Sequence, residues 1–143
     1  MYLRHIVWVF LFLSFIVVVC PAEENATYFR KGGYLEPNVL NENRIDIRNK
    51  YGHKIGYIEK NVLDNNRYDI RDNSGKIKSY VTDNPLNKDR RDLRARSGAL
   101  KGYIKPSYLD SRRTVIYNNK GEPKGYLKEN PLNNSRYDIY KKD

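Results

Sequence analysis

The chain has 143 residues, with 27 Lys and Arg against 17 Asp and Glu, a formal net charge of +10. Its single cysteine leaves no partner for an internal disulfide, and with only two histidines a thiolate or multi-histidine metal centre is excluded. A balance this basic favours anionic partners by long-range attraction, and it carries no information about fold.

The N-terminus carries targeting information. Met1 to His5 is a short basic start, and Ile6 to Val19 is apolar apart from Ser14. The run is too short to span a bilayer comfortably, and the small residues Cys20 and Ala22 suit cleavage after Ala22. Residues 1–22 are therefore read as a secretory signal and 23–143 as a single repeat domain, secreted or periplasmic. The alternatives are a lipoprotein, with Cys20 as the lipidated residue, and an uncleaved anchor. Val19 argues against lipidation, because Gly, Ala or Ser usually stands there. Loss of residues 1–22 removes Arg4 and no acid, so +10 becomes +9, and it removes Trp8 and the cysteine as well.

From there the chain repeats itself. Gly33, Gly56, Ser79, Gly102 and Gly125 follow one another at a spacing of 23 without insertion. Each is followed by Tyr (Tyr34, Tyr57, Tyr80, Tyr103, Tyr126) and then by an aliphatic residue (Leu35, Ile58, Val81, Ile104, Leu127). Five positions beyond the aliphatic residue stand Leu40, Leu63, Leu86, Leu109 and Leu132. Arg44, Arg67, Arg90, Arg113 and Arg136 come next. Asp46, Asp69, Asp92 and Asp138 follow two residues later, with Val115 in the fourth copy. Such a period marks a repeat architecture whose units cannot bury a core alone.

Each copy reads as a β-hairpin. Apolar residues recur at two, which excludes a helix, and "NSGK" between "RYDIRD" and "IKSYVT" is turn chemistry. A four-residue connection, Asn73 to Lys76, places Ile70 opposite Ser79, Asp69 opposite Tyr80 and Tyr68 opposite Val81. One face is then apolar throughout; a slip of one residue would mix the faces. The segment after each hairpin is expected to be a loop that drops its Leu into the core, giving three core aliphatics per copy.

The chain starts with a second strand, Lys31 to Glu36, and ends with a first strand, Arg136 to Tyr140. Head-to-tail pairing, Tyr34 against Asp138 and Gly33 against Ile139, would complete a fifth hairpin and remove the exposed edges. The predicted fold is all-β: five hairpin repeats closed into a ring. Five hairpins carrying "GYI…L…RYDI…G" and closed on themselves resemble the bacterial five-fold β-flower proteins. The resemblance covers about Tyr28 to Asp143. It implies a fold and carries no catalytic residues with it.

The repeated Arg, Asp and Tyr would make polar sets on one hairpin face, and five sets would form a polar ring around an axis. They are read as structural joints, since every copy needs the same joint whereas a catalytic site is needed once. His53 falls at a hairpin tip, away from any nucleophile. No cofactor is implied. Asp64, Asn65 and Asn66 lack the spaced ligands and closing Glu of a calcium loop. Asn25 and Asn133 head glycan acceptor triplets, which matter only in a eukaryotic host. Lys88 to Arg96 is the most basic stretch, suited to an acidic envelope polymer or to a guarded strand edge. Export argues against nucleic acid, a membrane enters only through the signal or a lipid on Cys20, and oligomeric state is left open. The expected function is a non-enzymatic binding or scaffold module of the envelope or periplasm. The alternative is a small carboxylate-dependent glycan hydrolase.

Overall fold

A computed structural model describes residues 29–142, and over that range the alternating segments are strands. They are β1 (Phe29–Pro37), β2 (Arg44–Asn49), β3 (Lys54–Lys60), β4 (Arg67–Asp72), β5 (Ile77–Asp83), β6 (Arg91–Ala95), β7 (Leu100–Pro106), β8 (Arg113–Asn118), β9 (Pro123–Asn130) and β10 (Asn133–Lys142). Each pairs antiparallel with its chain neighbour, and β10 pairs with β1, so the sheet closes into a ten-stranded barrel. Tyr34 lies opposite Asp138 and Gly33 opposite Ile139, as end-matching predicts. Within the second hairpin Ile70 faces Ser79, Asp69 faces Tyr80 and Tyr68 faces Val81. Residues 1–22, read from the sequence as a signal, lie outside the described residues with Cys20 among them, as does Asn25.

The strand-to-strand turns share one construction. In the β4–β5 turn the Asp72 Oδ1 accepts from the Ser74 and Lys76 amides, both at 3.0 Å, and Gly75 takes φ +84°, which L side chains rarely adopt. Arg71 closes the turn by donating to the Gly75 carbonyl at 2.8 Å. In the preceding hairpin a bulge at Ile55 follows the turn, and a Cβ on the adjoining Gly56 would stand 2.4 Å from the Arg71 carbonyl oxygen of β4. Ser79 fills that place in the third copy, fully buried. Its cross-strand neighbour is the small Ala95, where other copies carry Asn49, Asp72, Asn118 and Lys141.

Two rings of five aliphatic side chains fill the axis. Leu35, Ile58, Val81, Ile104 and Leu127 come from the odd strands, and Ile47, Ile70, Leu93, Ile116 and Ile139 from the even ones. Ile45 extends this core, and Tyr68 and Tyr137 pack against it. Each fully buried aliphatic contributes on the order of 1.5–3 kcal/mol, and ordering the chain offsets most of the total.

Three expectations are corrected. Leu40, Leu63, Leu86, Leu109 and Leu132 do not enter the core; they are 94–99 % exposed. The loops lie beyond the strand ends, and the interior is already filled by alternate strand residues. The polar sets do not surround the axis: alternation puts the aliphatics inside, so Arg, Asp and Tyr ring the outer wall. Finally, Lys88 to Arg96 guards no edge, because β6 is hydrogen-bonded on both sides. Three of its five cations are held in the wall instead, Arg90 and Arg94 on Asp92 at 2.7 and 3.3 Å and Arg91 on Asp83 at 2.7 Å, while Lys88 and Arg96 are exposed.

Candidate functional site: the wall and the two barrel ends

The wall explains the repeated polar residues. Each arginine lies over the ring of a repeated tyrosine: Arg136 over Tyr34, Arg67 over Tyr80, Arg90 over Tyr103, Arg44 over Tyr57 and Arg113 over Tyr126, at 3.6 to 4.7 Å. This geometry is a cation–π pair in every copy. The first of these pairs crosses the closure seam, from β10 to β1. Tyrosine also ties one hairpin to the next, since a Cβ on Gly75 would meet the Tyr57 hydroxyl at 3.4 Å.

Four copies bury an aspartate beneath this layer. Asp69 is 1 % exposed and accepts from Asn61 Nδ2 at 2.9 Å, Arg67 Nε at 2.7 Å and Arg71 at 3.2 Å. Asp92 has the same three partners in Asn84, Arg90 and Arg94. Asp46 takes Asn38, with Lys54 at 2.7 Å, and Asp138 takes Asn130, Arg136 and Lys31. A buried carboxylate is tolerated only with such partners.

The fourth copy changes three members at once and keeps the first arginine, Arg113. Val115 replaces the aspartate, Ser107 the asparagine, and Tyr117 the second arginine. Tyr117 stacks on Tyr103 with centroids 4.8 Å apart, and Arg113 turns to Asp110 at 3.0 Å. The carboxylate is gone together with its asparagine and second arginine, and stacking takes over, as it also does for Tyr140 on Tyr126 in the fifth copy.

The asparagine was not singled out from the sequence, although it recurs at the same spacing of 23. Asn61 Nδ2 reaches Asp69, and its Oδ1 accepts from the amides of Leu63 and Asp64 at 2.9 and 3.0 Å. The same Oδ1 contacts recur at Asn38, Asn84 and Asn130, and through Ser107 Oγ in the fourth copy. Each loop is thereby pinned to the wall with its leucine pointing outward. Asp64 serves its own turn, accepting from the Asn66 amide. Among the described residues no group of three or more His, Cys, Asp and Glu is placed to hold a metal ion.

The barrel ends differ in charge. We divide the wall between glycine and tyrosine on odd strands (Gly56 and Tyr57) and between isoleucine and aspartate on even strands (Ile47 and Asp46). Over residues 29–142 the end bearing the glycine turns then carries fifteen Lys and Arg against two acids. The end bearing the leucine loops carries eleven against twelve. Asp72, one of the two acids at the turn end, is held down to about 2, chiefly by the Ser74 hydroxyl. Glu122, the other, is lowered by Lys124. Both are therefore ionised, and the turn end keeps a surplus of thirteen positive charges, fifteen less two.

Compared with family models, with curated proteins and with solved structures, the chain finds no match.

Proposed function

We propose that the protein is an exported, non-enzymatic module of the cell envelope or periplasm that binds an anionic polymer through the turn end of its barrel. One observation carries this reading: fifteen cations against two acids on one end of a barrel whose other end is balanced. Lys50, Lys76, Arg96 and Lys120 are exposed at the tips of the four glycine turns, held by hydrogen-bonded backbone. A rigid ring of cations suits a flexible polyanion, because little protein entropy is lost on contact and released counterions favour binding. Membership of the five-fold β-flower proteins belongs to the same proposal, supported by the repeat phrase, the count of five and the closure. The hydrolase alternative is the weaker, since each buried aspartate is engaged by cations and aliphatic side chains occupy the axis.

The test is binding to a panel of acidic envelope polymers, polyglycerol phosphate included, across a salt series. Binding is expected to weaken steeply as the screening length falls from about 10 Å at 0.1 M salt to about 3 Å at 1 M. Charge reversal at Lys50, Lys76 and Arg96 together should lower affinity at least about tenfold, while reversal at Lys88 and Arg112 should leave it nearly unchanged. Salt-indifferent binding, equal losses at both ends, or no binding to the panel would refute the proposal.

A further inference from the structure

The five loop leucines take no part in the core. Beside each exposed leucine stands a second exposed apolar residue: Val39, Val62, Pro85, Tyr108 and Pro131. Five apolar pairs therefore crown one end of the barrel, and each leucine amide is fixed by the Asn or Ser contact below it. Ten large apolar or proline side chains exposed together on one end, rather than scattered singly, mark an interaction site. Rigid presentation lowers the entropy lost on docking.

We infer that the leucine crown is a self-association surface, on which a second copy of this chain docks end to end about a two-fold axis. Charge selects this occupant. Two turn ends, each with fifteen cations against two acids, repel one another, whereas the crown ends are balanced. An anionic lipid surface is a poorer match: the five loop tips contain Lys88 and Arg112 against Glu42, Asp64, Asp89 and Asp110, a net negative rim.

Charge is also distributed around the crown in a self-complementary way. On the loop half of the barrel the first and second loops, with their flanking strands, carry −2 and −1, the third and fifth are balanced, and the fourth carries +2. A two-fold axis in the plane of the crown, a quarter of a repeat from the fifth loop toward the first, seats the fourth loop of each copy between the first and second loops of the other. An isologous contact requires that reciprocity.

Shape agrees. Ten strands spaced about 4.8 Å apart and tilted about 40° give a barrel roughly 20 Å across at the backbone, so neighbouring leucines stand roughly 12 Å apart. The gaps are as wide as the knobs, and a facing ring rotated by half a repeat seats its five leucines between these five. A disc 20 Å across covers about 300 Å² at the backbone, and the side chains outside it widen this toward roughly 700 Å², somewhat below the roughly 800 Å² per partner of a standard stable interface and suited to a weak, concentration-dependent dimer. Such a dimer points its two basic ends in opposite directions. It would bridge two polyanion chains, a consequence that rests on the proposed polymer binding, whereas dimerisation itself does not.

The test is sedimentation of the exported chain, purified after its own processing, from micromolar to hundreds of micromolar. The expected result is a concentration-dependent dimer that Leu86→Glu with Leu132→Glu weakens by roughly thirtyfold or more. Both residues are exposed, so the melting temperature at concentrations where the chain is monomeric should not change, and Lys76→Glu at the other end should leave the dimer no weaker. The dimer-breaking variant should still bind polyglycerol phosphate yet lose the ability to cross-link it into pellets. A monomer at every concentration would overturn the inference, as would a dimer indifferent to the crown variants. Crown-dependent binding to neutral phosphatidylcholine vesicles by a chain that stays monomeric would overturn it in favour of a lipid surface. Failure of polymer binding with dimerisation intact would remove only the bridging consequence.

Discussion

The second hairpin and the fourth hold the same backbone in place with different chemistry. In the second, a buried carboxylate gathers Asn61, Arg67 and Arg71. In the fourth, Val115 sits where that carboxylate would be, Ser107 pins the loop more weakly at 3.3 Å, and Tyr117 stacks on Tyr103. Both keep the arginine over its tyrosine. The aspartate network is thus one of two solutions to fastening a loop and a turn to a strand. The fifth hairpin is intermediate: it keeps Asp138 with Asn130 and Arg136 but carries Tyr140, stacked on Tyr126, in place of the second arginine, and Lys31 supplies the missing cation.

The harshest way to break the comparison is to open the barrel beneath both hairpins. Removing residues 136–143 strips β1 of its partner and exposes two strand edges, and the expected outcome is loss of the cooperative melt with aggregation. An unchanged melting curve would show that closure contributes nothing. Next comes a contrast inside the second hairpin. Ile70→Ala should destabilise by about 2–5 kcal/mol in urea titration, whereas Leu63→Ser should stay within about 0.5 kcal/mol. Similar costs for the two would mean that the loop leucine is core after all.

The networks themselves are addressed by exchange. Asp69→Ala leaves Arg67, Arg71 and Asn61 without their acceptor, at a cost of about 3 kcal/mol, the arginines being partly solvated. Val115→Asp alone should cost about 1–2 kcal/mol, because only Arg113 is there to receive it. Adding Ser107→Asn and Tyr117→Arg to Val115→Asp should recover most of that loss. If the triple variant is no better than the single, the residues do not act as a set.

The smallest effect concerns the turns. Asp72 has its carboxyl depressed to about 2, so its contribution is complete above its ordinary value near 4 and is lost as pH falls from there toward 2. Amide exchange at Ser74 and Lys76 should accelerate across that window. In the fourth turn the acceptor is the Asn118 amide oxygen, which does not titrate, and exchange at Lys120 should accelerate less. Equal behaviour of the two turns would remove the aspartate cap from the account.

Much of this was legible beforehand, for reasons of distance along the chain. Hairpin register depends on residues within about fifteen positions of each other, so alternation decided it: Ile70 against Ser79 is the pairing that leaves one face apolar. The closing pair Tyr34 and Asp138 was legible because the repeat supplies the missing half of the phrase at each end. The destiny of the leucines was not. A leucine at a constant position signals the core in most repeats, and only the count of side chains already on the axis shows that no room is left.

By itself the sequence determined the period, the hairpins, their register and their number, because those follow from alternation, turn residues and end-matching. Tertiary structure alone decided which way things face. Closure turned the aliphatics inward and the Arg–Asp–Tyr sets outward, sent the five leucines to one end, and collected the cations at the other. The physical reason is that a face, an end and an axis exist only once the sheet has curved on itself, and residues 23 apart then become neighbours around a ring.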